Sequence, residues 1–142
     1  MKMKDMGPMD EVFSHVDDVT GETHHFNITA MTKSWKVRTR KTVQIDVLPE
    51  VVQFFLEKRG IEQHRVRRLL GVRIETPVLA LHWPDGRHLL VDGHHRYVAA
   101  GMSGATQIPA KMIPRSIWKE FVITDLPAED AALLTKGISG IG

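Results

Sequence analysis

The chain has 142 residues, 42% of them hydrophobic and 25% charged, the make-up of one soluble globular domain with a real core. A net charge of +2 does not by itself mark a nucleic-acid binder, and the absence of cysteine excludes disulfides, thiolate zinc sites and thiol catalysis. No apolar run approaches the length of a membrane span, and the opening "MKMKDMGPMDEVF" lacks the apolar core of a secretory signal, so the chain reads as cytoplasmic.

Residues 1–30 are polar and weakly patterned, and a loosely structured lead-in is expected there. The following "SWKVRTRKTVQIDV" turns β-branched, and "TVQIDV" (42–47) alternates as a half-buried strand does. Pro49 opens a helical stretch, "PEVVQFFLEKRG", that Gly60 closes, and "IEQHRVRRLLG" reads as a second short helix ending at Gly71. "PVLALHW" (77–83) and "RHLLV" (87–91) are strands around a Pro-Asp-Gly turn, and their nearly continuous apolar character places this hairpin at the centre of a sheet. "HHRYVAAGMSG" (94–104) is a helix, and "QIPAKMI" (107–113) a strand whose Pro109 argues for an edge or a bulge. "PRSIWKEFVI" and "PAEDAALLTKG" read as two more short helices, and 137–142 as a flexible tail. A single α+β domain over 31–136 follows, a small mixed sheet flanked by short helices.

The stretch "VDGHHRY" (91–97) carries the chemistry. Asp92 or Gly93 ends a strand and caps a helix, so His94, His95 and Arg96 fall in the first helical turn. Cations there oppose the helix dipole and cost about 0.3–1 kcal/mol each when exposed. A helix built to hold an anion gains from the same arrangement: free N–H groups face outward, glycine allows close approach, and His and Arg add donors. Phosphate is the natural guest. The plainer alternative has Arg96 bridging to a carboxylate while the histidines cap or pack.

The segment "PVLALHWPDGRHLLVDGHHRYVAAGMSGATQIPAKMI" (77–113) resembles the core of the ParB/sulfiredoxin superfamily, and 42–60 fits its first strand and following helix less specifically. The resemblance implies a small α+β fold that binds a nucleotide, with its phosphates on the Asp92–Arg96 loop. Sulfiredoxins carry a cysteine where this chain has His94, so the resemblance does not extend to sulfinic-acid reduction. Partition-type ParB proteins have Glu-Arg-Arg after the glycine, use CTP, and continue into a helix-turn-helix region. Only 29 residues follow Ile113 here, so operator reading by this chain is not expected. The free-serine-kinase branch carries Asp-Gly-His-Thr-Arg, which Asp92, Gly93, His94 and Arg96 match, with His95 in the place of threonine. That branch uses a glutamate soon after its first strand, for which Glu50 is the counterpart. Many small proteins with this core are labelled ParB-like nucleases.

The expected function is therefore nucleotide binding, with hydrolysis or transfer of the terminal phosphate of a nucleoside di- or triphosphate. Gly93, His94, His95 and Arg96 would hold phosphate, and Asp92 would orient a histidine or hold the Mg²⁺ that accompanies ATP, ADP or CTP. Glu50 and His94 would carry catalysis, with Asp46 as another candidate base. Two rivals stand beside this: a non-catalytic switch whose nucleotide alters a protein or DNA interface, and a DNA-binding or nuclease accessory. A homodimer is compatible with any of them. His24-His25 lacks a third metal ligand nearby and reads as a solvated loop pair. His82 and His88 read as cross-strand neighbours. Lys33, Lys36, Arg38, Arg40 and Lys41, with Trp35 among them, could meet nucleic acid, but their alternation favours the solvated face of an edge strand. Arg65, Arg67 and Arg68 read as a wet helix face, and Phe54, Phe55, Leu56, Leu69 and Leu70 as core.

Overall fold

A computed structural model describes residues 1–127. The helix expected from Pro127 onward and the tail 137–142 lie outside the described residues, apart from Pro127 itself.

Residues 1–30 contain more structure than their composition suggests. Strands β1 (Val12–Val16) and β2 (Thr23–Asn27) pair antiparallel, from Val12 opposite Asn27 to Val16 opposite Thr23. The loose segment expected there is corrected by this hairpin. Its polar residues disguise burial: Ser14 and His25 are both enclosed and satisfy each other through a 2.5 Å contact between Oγ and Nδ1. His24-His25 is accordingly a strand pair, not a loop pair.

Helix α1 (Ile28–Lys33) starts where the Asn27 side chain accepts from the Ala30 amide. A single turn, α2 (Trp35–Arg38), starts where Ser34 accepts from the Lys36 amide. The edge strand expected over "KVRTRK" is thereby replaced by a helical turn and a short loop. The Ser34 cap outweighs a brief alternation in which only Val37 has a core to enter.

Strand β3 (Thr42–Asp46) leads to α3 (Pro49–Lys58) and α4 (Gln63–Leu69). The hairpin of β4 (Val78–His82) and β5 (His88–Asp92) closes on Gly86, whose amide donates to the Trp83 carbonyl. Helix α5 (His94–Met102), strand β6 (Gln107–Ile113) and α6 (Arg115–Trp118) complete the order, with a 3₁₀ turn at Lys119–Phe121.

The sheet runs β3-β6-β4-β5, with β6 antiparallel to β3 and parallel to β4. Two expectations change. Of the hairpin expected at the centre, β4 is interior and β5 lies at the edge. β6 is interior despite Pro109, because Pro109 faces Gln44 of β3 one residue before the β4 ladder begins at Val78–Ala110.

Both faces of β4 are covered, which explains its unbroken apolar sequence. Val78 and Ala80 face a core shared with α3, α4 and α5, including Val52, Phe55, Val66, Val98 and Ala99. Leu79 and Leu81 face a second core formed with Phe26, Met31, Val37, Trp83 and Trp118. Phe55 joins the first core as expected, but Phe54 and Leu70 are exposed.

Candidate anion site at the start of helix α5

Gly93 turns the chain from β5 into α5 at φ +101°, a conformation that L side chains rarely adopt. A Cβ built there would lie 2.5 Å from Val78 Cγ1, so the turn is seated directly on the core. No side chain caps α5 and no acidic residue stands in its first turn. Its leading amides have neither a side-chain cap nor the intrahelical partners of later turns, an arrangement suited to an anion.

His94 is the most perturbed group of the motif. Its ring stacks on Phe13 at 5.5 Å and meets the edge of Phe55 at 4.8 Å between centroids. Some of the residue reaches the surface, but Nε2 is sealed from solvent and has no hydrogen-bond partner. Burial first, then the Arg59 charge and the neighbouring His95, push its pKa down to about 3, against the opposing pull of a hydrogen bond with the Leu90 backbone. His94 is thus a neutral imidazole whose bare Nε2 carries a lone pair.

Arg59, at the end of α3, is the neighbour that the sequence did not reveal. Its guanidinium lies 5.5 Å over the Phe13 ring and 5.1 Å over Phe54, and burial lowers its pKa to about 10. Phe13, Phe54, Phe55 and Arg59 come from β1 and from both ends of one helical turn of α3, so no local spacing joins them to the motif. The sequence signal is an arginine directly after the Phe-Phe-Leu-Glu-Lys run that ends the helix.

His95 reaches the next helix. Its Nε2 accepts from the Glu62 amide at 3.0 Å, which fixes it as neutral and ties the start of α5 to the start of α4. Burial is the first cause of its lowered pKa, with Arg65 next.

Arg96 and Asp92 require a correction. Arg96 Nη1 donates to the carbonyls of Thr76 and Pro77 at 3.0 and 2.9 Å, and Nη2 donates to Asp92 Oδ2 at 3.2 Å. Arg96 therefore stitches the entry of β4 to the end of β5. It is not an open phosphate donor, and Asp92 is engaged with Arg96, not with a histidine. This is the carboxylate bridge weighed above as the plainer alternative. The residues present do not fit a protein-held Mg²⁺: the carboxylate of this loop is bound to arginine, and among the described residues no group of three or more His, Asp or Glu could hold a metal.

Glu50 is exposed on the first turn of α3, and its charge is felt at the hydroxyl of Tyr97, the last residue of the motif. Tyr97 donates to the Asp46 carbonyl at 3.0 Å and accepts from the Leu48 amide at 2.9 Å, so it pins the β3–α3 connection. Asp46 accepts from Gln107 on the far side of that connection. The structure brings His94 and His95 to the turn, and it connects Asp46 and Glu50 to the same helix through Tyr97. His82 and His88 are cross-strand neighbours, as expected, with rings 6.0 Å apart. Arg65, Arg67 and Arg68 lie on an exposed face.

The fold and site together define an α+β domain with an uncapped helix start closed from behind by a neutral, buried histidine. No family model matches the chain, and no curated protein matches it. Among solved structures the chain is similar to sulfiredoxin from Arabidopsis thaliana, with 18% identity over 56% of this chain and 94% of that one, at a TM-score of 0.42. That likeness carries no role for any residue. No helix of the described residues is long and apolar enough to cross a membrane.

Proposed function

We propose that the protein binds the terminal phosphate of a nucleoside di- or triphosphate at the β5–α5 turn. The observation that carries this reading is the uncapped first turn of α5 above Gly93, backed by the unpartnered Nε2 of His94. Backbone N–H groups of 94–96 supply the donors, and the helix dipole and Arg59 supply positive potential without a mobile side chain. Arg96 and Asp92 hold the loop in shape. Mg²⁺ would enter with the nucleotide phosphates, since among the described residues no group of three or more His, Asp or Glu could hold it.

Hydrolysis or transfer of that phosphate is a second step, and it needs a proton acceptor near the turn. His94 Nε2 is sealed from solvent and its pKa is lowered to about 3, which makes it a poor acceptor and favours the nucleotide-dependent switch over the enzyme. A phosphate anion brought against His94 raises its proton affinity, so binding takes up a proton and tightens as pH falls.

A thermal-shift panel of ATP, ADP, CTP and GTP, each with and without Mg²⁺, tests the reading. A ligand at about 100 times its Kd should stabilise the folded form by about 2.7 kcal/mol and raise Tm accordingly. A panel in which no nucleotide or pyrophosphate moves Tm at millimolar concentration would overturn it. Turnover measured on the same samples separates the two modes. Brisk hydrolysis that Glu50→Gln slows about 10²–10⁴-fold would restore the enzyme reading and the role first expected for Glu50.

A further inference from the structure

The replacement of the expected edge strand by α2 puts Trp35 at the start of a helical turn. Trp35 is 66% exposed, unusual for so large an aromatic residue, and it sits at the rim of a cleft of about 690 Å³. Lys36, Arg40 and Lys41 line that cleft together with Ser116 and Ile117 from α6. The two stretches that form it, residues 35–43 and 107–120, hold seven cations (Lys36, Arg38, Arg40, Lys41, Lys111, Arg115 and Lys119) and a single carboxylate, Glu120. Of these cations Lys36, Arg40 and Lys41 line the cleft itself, and the others belong to the two stretches that form it.

Some of these cations have structural partners. Lys36 pairs with Glu120 at 2.7 Å, Arg40 donates to the Met112 carbonyl at 3.1 Å, and Lys111 reaches the Arg38 carbonyl. These bonds fix the cleft walls. Arg38, Lys41, Arg115 and Lys119 form no ion pair among the described residues, and all four are exposed.

We propose that this cleft binds a single strand of nucleic acid, with a base stacked on Trp35 and the backbone phosphates along Lys41, Arg38 and Arg115. An exposed indole beside several unpaired cations matches the two needs of such a strand, a stacking platform and a track of positive charge. A duplex keeps its base faces paired and stacked, so it cannot use Trp35. An acidic peptide uses the cations but gains nothing specific from a flat aromatic ring. A membrane surface calls for a cluster of apolar side chains, and the cleft exposes Trp35 with Val43 as its only other exposed large hydrophobic residue among those lining it. The site is separate from the α5 turn and stands or falls independently of nucleotide binding there.

Fluorescence anisotropy with labelled oligothymidine and oligouridine of about a dozen nucleotides tests it, beside a duplex of the same length and polyglutamate as competitor. Binding of a single strand is expected, weakened by added salt, with the tighter of the two oligomers naming DNA or RNA as the source. Trp35→Ala should weaken it about 10-fold, and Lys41→Glu together with Arg38→Glu should both weaken it and flatten its salt dependence. These side chains are exposed, so melting curves of the variants should match the wild type. His94→Gln should leave this binding unchanged. Failure of both oligomers to bind at low salt, equal binding of the duplex, displacement by polyglutamate as easily as by an oligonucleotide of equal charge, or a Trp35→Ala protein that binds as the wild type does, would each overturn the proposal.

Discussion

Lowering the pH should destabilise the protein through His94. The imidazole has an ordinary pKa of 6.5, lowered in the fold to about 3. A group whose pKa is depressed on folding binds more protons when unfolded. Its stabilising contribution is therefore complete above the unfolded value of 6.5 and is lost as pH falls towards the folded value of about 3. Between these values the loss is about 2 kcal/mol at pH 5 and about 3 kcal/mol at pH 4, approaching about 5 kcal/mol once both states are protonated. Losses of that size are a large part of the ~5–15 kcal/mol that holds a domain folded. His15, His25 and His95 are also lowered, with burial as the first cause in each, so they act with the same sign. A comparison with His94→Phe isolates the contribution of His94. Phenylalanine keeps the aromatic packing against Phe13 and Phe55, cannot titrate, and loses the Leu90 hydrogen bond equally at every pH. Urea unfolding of both proteins at pH 7.5 and pH 5 gives the answer. The wild type should lose about 2 kcal/mol more than His94→Phe over that interval. Parallel losses in the two proteins would refute the burial of a neutral His94.

Three further substitutions test the turn and its supports. Gly93→Ala meets both an unfavourable φ and the Val78 side chain, and should cost about 2–4 kcal/mol in urea unfolding, with Val78→Ala restoring only the steric part. Arg96→Ala should lower stability by about 1–3 kcal/mol by leaving the Thr76 and Pro77 carbonyls and Asp92 without their donor, and Arg96→Lys should not rescue it, because an ammonium cannot span all three. Tyr97→Phe removes the hydroxyl that joins Asp46 to Leu48 and should cost about 1–2 kcal/mol, with hydrogen exchange quickening first at the Leu48 amide.

The elements with strong local signals were legible in the sequence. Pro49 and Gly60 bracket α3, the Pro-Asp-Gly turn sets the β4–β5 hairpin, and Gly93 marks the start of α5, each because backbone conformation is decided within a few residues. What failed depended on distant partners. The β1–β2 hairpin buries Ser14 and His25, whose polarity conceals them until each is seen to satisfy the other. β6 looked like an edge from Pro109, but the missing N–H falls before the β4 ladder begins. "KVRTRK" alternated like a strand, yet a serine cap and a single inward Val37 made it a turn of helix. At the site, the motif correctly singled out a glycine-led, cation-rich helix start. It could not show that Arg96 turns back to Asp92 and β4, nor that an arginine from α3 and a phenylalanine from β1 close over His94.

The most direct measurement is an amide-resolved NMR titration of the ¹⁵N-labelled protein with ATP and with pyrophosphate. The anion-site account expects the largest, saturable shifts at the amides of Gly93, His94, His95 and Arg96. Shifts confined to the Trp35–Lys41 face, or no saturable shift at 93–96 with millimolar ligand, would contradict it.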